Sequence, residues 1–150
     1  MIFSAGMFPG RSPWHVVFDV LSVSHSQFWL VSGSMPGSPI VCPVPEGDSM
    51  KGNGEAVGVP TLASATRVDV VLSAWEREAP EGHGTPLGTC RIWVPGRELV
   101  LVNVEGREPG PVLVLPDAEE FQVRGWRCPA SDGHGPERYD LRVGPVPALE

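Results

Sequence analysis

The nine residues Arg67-Val-Asp-Val-Val-Leu-Ser-Ala-Trp75 carry the clearest structural pattern in the chain. Two sets of side chains alternate along them: the apolar set Val68, Val70, Leu72 and Ala74, and the polar set Arg67, Asp69 and Ser73. Successive side chains of a strand point to opposite faces, so a period of two predicts a β-strand with one buried face.

Short runs of similar character occur on both sides of this stretch, separated by eighteen glycines and seventeen prolines. Residues 89–94 and 139–143 alternate in the same way. Three other runs are apolar on both faces, which is typical of central strands covered on each side or of an interface. They are residues 16–23, 27–31 and 99–104.

Two turns are predicted to join neighbouring strands as hairpins, one at Pro95-Gly96 and one at Pro116-Asp117 between runs 112–115 and 120–127. Proline presets the φ angle that the first central position of a turn requires, and glycine accepts the positive φ of the second. In the last of these strands, Gly125 marks a bulge or a tight bend. Residues 56–66 are the one stretch with room for a helical turn.

About eight strands at spacings near 8 to 12 residues predict an all-β fold, an antiparallel two-sheet β-sandwich. With 150 residues, the chain has the length of one domain covering 1–150. Residues 32–55 are rich in glycine and proline and are predicted to form a long loop. A loop of this length is either a binding loop or a disordered or irregular connection, and the sequence leaves both interpretations open.

The charge balance bears on partners and location. Eleven basic and eighteen acidic residues give a formal net charge of -7, which disfavours nucleic acid and anionic membranes and suits a basic protein partner. No apolar run is long enough to span a bilayer, and the first residues lack a signal-peptide pattern, so a cytoplasmic location is expected. Ten of the eleven basic residues are arginine, a bias expected of a GC-rich, actinobacterial genome.

Motifs for catalysis and metal binding are weak. Three cysteines are an odd number without paired spacing, which argues against a disulfide framework. His83 and His134 lie in similar Gly-His-Gly tripeptides, each preceded by an acidic residue, so they are a weak alternative for a metal site. His25 follows Ser24 directly, and strand neighbours point apart, so the pair is not expected to act as nucleophile and base. No catalytic residue and no cofactor is predicted.

Three segments of the chain resemble a known group of proteins: Phe18 to Leu30 with its His-Ser-Gln-aromatic motif, Val114-Leu-Pro followed by Glu120 to Arg124, and Glu137 to Arg142. They resemble small, mostly uncharacterised actinobacterial β proteins that are distantly similar to the competence protein J family. That family contains small β proteins and includes an inhibitor of a DNA-entry nuclease. The resemblance implies a β fold and an inhibitory interaction with another protein.

Six residues are the predicted interaction residues: His25, Gln27, Trp29, Trp93, Trp126 and Arg124. Five tryptophans is a high count for this length, and the alternation places Trp93 and Trp126 on the same faces as arginines. Tryptophan and arginine are enriched at the energetic centres of protein interfaces, although burial under the other sheet or under the long loop is the alternative for these side chains.

Three functions remain open at this point. The first is a non-enzymatic protein-interaction module, an inhibitor or immunity-type partner of another bacterial protein. The second is a metal-dependent enzyme or small-ligand-binding β domain built on His25, His83 and His134. The third is a structural subunit of a larger assembly. The oligomeric state does not follow from the sequence.

Overall fold

The computed structural model describes residues 12–33, 42–104, 110–128 and 136–147, and these residues form ten β-strands and no α-helix. The strands, in chain order, are β1 (His15–Val23), β2 (Gln27–Ser32), β3 (Lys51–Gly52), β4 (Ala56–Pro60), β5 (Thr66–Ala74), β6 (Thr85–Trp93), β7 (Glu98–Val102), β8 (Leu113–Val114), β9 (Glu120–Cys128) and β10 (Glu137–Pro145). No helix in this part of the chain is able to cross a membrane.

The strands form two sheets of five strands each, which confirms the predicted β-sandwich class. Sheet A has the order β1, β5, β10, β9, β6, and sheet B has the order β3, β4, β2, β7, β8. Neighbouring strands are antiparallel with one exception among the described pairs: β5 and β10 run parallel, with Val68 beside Glu137 and Ala74 beside Val143. Strand β10 thus joins β5 on one side and β9 on the other.

The core lies between the two sheets and follows the alternation of the sequence. The four apolar residues of the 67–75 stretch point inward from β5 and are at most 1% exposed. Phe28 of β2 packs edge-on against Tyr139 of β10, with ring centroids 5.4 Å apart. Burial of this apolar set is the main stabilising contribution, at about 25 cal/mol for each Å² removed from water.

The two predicted hairpins are wrong, because each turn connects the two sheets. Strand β6 belongs to sheet A and β7 to sheet B, so the turn at Pro95-Gly96 leads the chain from one layer to the other. The turn at Pro116-Asp117 does the same between β8 and β9. Turn chemistry fixes a chain reversal but leaves open whether the two arms pair with each other.

The stretch 56–66 is not helical: Ala56–Pro60 is strand β4, and all five of its residues are buried. The predicted long loop, 32–55, contains the short strand β3, and part of it lies outside the described residues. Gly125 itself stays in regular register, and the bulge lies opposite it on β6, between Pro86 and Gly88. A Cβ atom at position 125 would come within 2.8 Å of the sulfur of Met50, so any other residue there would have to displace that methionine side chain.

Three of the four sheet edges are short or covered. The edge strands β3 and β8 of sheet B have two residues each. The edge of β6 is covered by the segment before β4, because Met50 N–H donates to Leu87 O and Trp93 N–H donates to Gly54 O. Strand β1, with nine residues, has no strand beyond it within the described part of the chain.

Candidate interaction surface

The outer face of sheet A, which points away from sheet B, is divided into a covered half and an open half. Residues 75–84, here called the crossover, lead from β5 to β6 and pass over β10 and β9. Strands β1 and β5 lie beside this covering. The register places Val16 next to Ser73, Phe18 next to Val71, and Val20 next to Asp69 on the open half.

Arginine and tryptophan side chains alternate beneath the crossover. The Arg142 guanidinium lies between two indoles, 5.8 Å from the ring centre of Trp75 and 5.6 Å from that of Trp126. The guanidinium of Arg124, the cross-strand neighbour of Arg142, lies 5.2 Å from the same ring. Each contact is a cation–π interaction, and together they form a continuous stack across β10 and β9.

The same arginines bind the crossover to the sheet. Arg142 donates to Pro80 O at 2.9 Å, and Arg124 donates to Ala79 O at 3.0 Å. Gly82 lies directly on the indole of Trp126, because a Cβ atom there would be 2.8 Å from the ring. As a result Trp126 is only 6% exposed, although it belongs to the outer face. The stack holds the crossover in place and does not itself form an accessible surface.

An exposed apolar stripe lies on the open half and consists of Trp14, Val16, Phe18 and Val20. Phe18 is 71% exposed, Val20 is 50% exposed and Trp14 is 49% exposed. Single exposed apolar residues are common, but three alternate residues along one face of β1, with Trp14 directly before the strand, are typical of a site that another molecule covers. Of the two sequence interpretations of residues 16–23, central strand or interface, the edge position of β1 rules out the first.

A pocket of about 270 Å³ adjoins the stripe near the N-terminal ends of β5 and β10. Its lining includes Asp69, Val71, Arg138 and Asp140. Asp140 pairs with Arg142 at 3.0 Å. An apolar stripe beside a pocket lined by three aspartates, Asp19, Asp69 and Asp140, is suited to a partner that brings apolar side chains together with a basic one.

The thiol of Cys128 also lines this pocket, but it is not a nucleophile of lowered pKa. Burial raises its pKa, and the Asp140 carboxylate raises it further, against the opposing effect of Arg138. The Cys128 thiol donates to the carbonyl of His83 at 3.5 Å. Burial likewise raises the pKa of Cys42 and of Cys90. Reactive cysteines need the opposite shift.

A buried polar cluster lies at the end of the sandwich, between the sheets. Arg127 is nearly fully buried and donates to the hydroxyl of Tyr139 and to Pro60 O, both at 3.1 Å. The Tyr139 hydroxyl in turn donates to the carboxylate of Glu137. That carboxylate also accepts the backbone N–H groups of Leu62 and Ala63. The cluster therefore ties β9 and β10 to the end of β4 and the segment that follows it.

Burial raises the pKa of Tyr139 well above its usual range, and the hydrogen bond that Tyr139 gives to Glu137 adds to this effect. No local pattern links Arg127 to Tyr139 and Glu137, so the sequence alone does not identify the cluster. The available signal was the alternation itself, which places residue 127 on the inner face with Val123 and Phe121.

The six predicted interaction residues do not come together at one place. His25 lies in the turn between β1 and β2, and Gln27 begins β2. Trp29 lies on the outer face of sheet B, where its indole N–H donates to Pro43 O at 2.9 Å. Trp93 is 53% exposed at the far edge of sheet A. Trp126 and Arg124 lie beneath the crossover, as described above.

The turn that contains His25 has an unusual backbone. His25 and Ser26 both have a φ of 59°, which is the left-handed conformation that two-residue hairpin turns require and that asparagine and glycine favour. The imidazole Nδ1 of His25 lies 3.1 Å from the Ser24 hydroxyl. The argument that neighbouring side chains must point apart is thus wrong here, because His25 is in a turn and not in a strand. Gln27 Oε1 is buried without a hydrogen bond to any described group.

The histidines provide no metal centre in the described residues, where no three histidine, cysteine or acidic side chains come together. His83 is exposed near the end of the crossover. His134 lies outside the described residues, so the pairing of the two Gly-His-Gly tripeptides stays a prediction.

Solved structures of two proteins have a similar fold. ComJ from Bacillus subtilis, an inhibitor of the DNA degrading activity of NucA, matches with a TM-score of 0.65 and 13% sequence identity, over 90% of this chain and 99% of its own. The protein described as crocagin biosynthetic gene J matches with a TM-score of 0.53 and 14% identity, over 87% of this chain and 96% of its own. No protein-family model and no curated protein sequence matches the chain. The likeness establishes a shared fold and agrees with the competence protein J resemblance at that level.

Proposed function

We propose that this chain is a non-enzymatic protein-interaction module that inhibits a basic, DNA-degrading partner enzyme by covering it with the open half of sheet A. The apolar stripe of Trp14, Val16, Phe18 and Val20 is the observation that carries this proposal. It is the side of a firmly packed sheet that nothing in the described part of the chain covers.

The stripe supplies affinity. Full burial of an aromatic or branched apolar side chain contributes about 1.5–3 kcal/mol relative to leaving it exposed. Phe18, at 71% exposed, has the most surface left to bury. It lies at the middle of the stripe, and interface residues that contribute most to binding are found near the centre of the contact.

Charge supplies the preference for a basic partner. The chain carries a net charge of -7, and Asp69 and Asp140 line the pocket beside the stripe. Enzymes that act on nucleic acid present positive charge to the phosphate backbone. An acidic inhibitor therefore suits the surface with which such an enzyme binds DNA. The likeness in fold to ComJ, itself an inhibitor of a DNA-degrading activity, supports this class of partner.

The proposal is tested with a nuclease from the same cell. The purified chain is immobilised, native lysate is passed over it, and the eluate is assayed for degradation of plasmid DNA. Each nuclease found is then purified, and its affinity and inhibition are measured with the wild-type chain by calorimetry and by DNA cleavage. We expect binding that suppresses cleavage.

Two charge variants locate the contact. Phe18→Asp puts a carboxylate at the centre of the stripe and should weaken both binding and inhibition at least tenfold. Val44→Asp makes the same change at a residue of similar exposure, 60%, in the segment before β3, and should have no effect. A nuclease that binds both variants as well as wild type would show that the stripe is not the contact. Absence of any bound or inhibited nuclease would contradict the function itself.

A further inference from the structure

The backbone of β1 offers a second means of recognition beside its side chains. It is the one long strand edge that the described residues leave unpaired, as the sheet order shows. Proteins usually shorten, cover or charge such edges, because an open edge pairs readily with another extended chain. Here the other three edges are short or covered, whereas β1 is long and no strand among the described residues covers it.

The direction of the hydrogen bonds shows which residues face this edge. Val20 N–H donates to its neighbour's carboxylate, Asp19 Oδ1, at 2.8 Å. Ser22 O accepts from the side chain of Asn103 at 2.8 Å. Antiparallel bonding alternates with a period of two, so Val16 and Phe18 direct their N–H and C=O groups to the same edge.

Side chains close this edge at its two ends. At the start of β1, the ring nitrogen Nδ1 of His15 accepts the backbone N–H of Val114 at 2.9 Å. Toward the other end, the Asp19 carboxylate accepts the N–H of Val20, and the side-chain amide of Asn103 donates to the carbonyl of Ser22. Between these two ends, the backbone groups of Val16 and Phe18 face the edge without a partner among the described residues. These groups lie directly beside the apolar stripe, because both residues also belong to it.

We infer that the partner contributes an extended segment that adds to β1 as a sixth strand of sheet A, and that Asp19 selects a basic segment. This inference rests on the proposed function and specifies how the partner is held. The added strand bonds first to Val16 and Phe18, and then takes the place of the Asp19 carboxylate on Val20 N–H. The Asp19 carboxylate, whose two oxygens accept several hydrogen bonds at once, then also accepts from a lysine or arginine of the incoming strand.

Asp19 also disfavours pairing with a second copy of this chain. It is the central residue of the nine in β1, so an antiparallel pairing of two β1 strands about their middle brings two Asp19 side chains together. Like charges directly opposite each other destabilise a strand pair. Both copies also carry a net charge of -7. These two features favour a foreign, basic strand over self-association.

The pleat of β1 defines the sequence pattern of the partner strand. Alternate side chains of an added strand lie beside Val16, Phe18 and Val20, and these should be apolar. The side chains between them lie on the side of Asp19, and these should be basic. The preferred segment therefore alternates apolar and basic residues.

Two synthetic peptides test the inference directly. The first is an acetylated, amidated heptapeptide that alternates lysine and valine, beginning with lysine, and the second has glutamate in place of each lysine. Binding is followed by titration and by amide hydrogen exchange of the full chain in NMR spectra. The lysine peptide should bind more tightly than the glutamate peptide and should slow exchange of the Val16 and Phe18 amides at least tenfold.

Variants at two aspartates, the half-buried Asp19 and the exposed Asp117, separate the role of Asp19 from general charge. Asp19→Lys should weaken binding of the lysine peptide at least tenfold and should strengthen binding of the glutamate peptide. Asp117→Lys makes the same charge change at a fully exposed residue in the turn before β9 and should leave the preference unchanged.

Three results would overturn the inference. Amides of Val16 and Phe18 that exchange slowly in the free chain would show that the edge is already paired. A peptide or a nuclease that binds through Phe18 without slowing those amides would support the proposed function but exclude strand addition. Equal effects of the two lysine variants would exclude selection by Asp19.

Discussion

Tyr139 connects two side chains of opposite charge inside the sandwich. Its hydroxyl accepts from Arg127 and donates to Glu137, so one oxygen satisfies a buried guanidinium and a half-buried carboxylate together. Its ring also packs against Phe28 of the other sheet. Removing one member of such a cluster leaves the other polar groups without a partner, which costs more than the lost bond alone.

Tyr139→Phe keeps the ring and removes only the hydroxyl. We expect it to lower the free energy of unfolding by about 1–3 kcal/mol at neutral pH, because the Nε of Arg127 and one oxygen of Glu137 lose their partner. Urea denaturation followed by tryptophan fluorescence measures the change. An unchanged midpoint would mean that water replaces the hydroxyl without cost.

The same variant predicts a dependence on pH. The pKa of Tyr139 is raised in the folded chain, so the protonated hydroxyl is favoured there relative to the unfolded chain, where tyrosine titrates near pH 10. This contribution to stability is complete below about pH 10 and is lost as the pH rises above it. The stability difference between wild type and Tyr139→Phe should therefore shrink between pH 10 and pH 11.5. A constant difference over this range would contradict the raised pKa.

At the scale of elements, the turn between β1 and β2 is strained by its own residues. His25 and Ser26 both occupy the left-handed region, which costs about 1–2 kcal/mol for each residue with a side chain. Ser26→Gly should stabilise the protein by about 1 kcal/mol, because glycine adopts this conformation without a clash. Thermal unfolding of the two proteins measures the difference.

Ser64→Gly is the matched control for this change. Ser64 is exposed, its carbonyl accepts the N–H of Ser26, and its φ is not positive. Glycine there brings no conformational relief and only increases the freedom of the unfolded chain, so the variant should be neutral or slightly less stable. Equal stabilisation by both variants would show that the turn is not strained.

The strands themselves were largely predictable from the sequence, but their partners were not. Alternation alone places the side chains of 67–75 correctly, because the period of two depends only on neighbouring residues. The sheet to which a strand belongs depends on pairing with distant residues. For this reason the turns at 95–96 and 116–117 predict reversals correctly but lead to a different sheet than expected. Strand β4 does not stand out in the sequence because Gly58 and Pro60, which are of types depleted in strands, interrupt and follow its two valines.

The candidate surface also depends on contacts between residues that are distant in the sequence. Alternation correctly places Trp126 and Arg124 on the outer face of sheet A, but their covering by the crossover depends on how a distant loop folds. For β1, the sequence indicated apolar faces on both sides and left two interpretations open. Only the position of β1 at the edge of the sheet, which no local pattern encodes, decides between them.

At the scale of the whole molecule, net charge and the apolar stripe should affect different steps of binding. Charge attracts a basic partner over distances comparable to the Debye length, so it acts on the association rate and is screened by salt. Buried apolar contacts act only after docking and so govern the dissociation rate. Between 50 and 500 mM salt, the association rate with a captured nuclease should fall at least tenfold, as measured by stopped-flow fluorescence.

Phe18→Ser gives the complementary result in the same experiment. It leaves the net charge at -7 and should raise the dissociation rate severalfold with little change in the association rate. An association rate that does not change with salt would contradict the role assigned to charge, whatever Phe18→Ser does to the dissociation rate.

The parallel pairing of β5 and β10 has a consequence for synthesis on the ribosome. Strands β1 and β5 emerge early, and β6 and β9 emerge later, but β10 lies between these two pairs in sheet A. More than sixty residues separate the end of β5 at Ala74 from the start of β10 at Glu137. At roughly 5–20 residues per second, the growing chain waits about 3–12 s for the strand that unites its two halves. A nascent chain that stops before residue 137 therefore holds two strand pairs with open inner edges, which chaperones would need to shield.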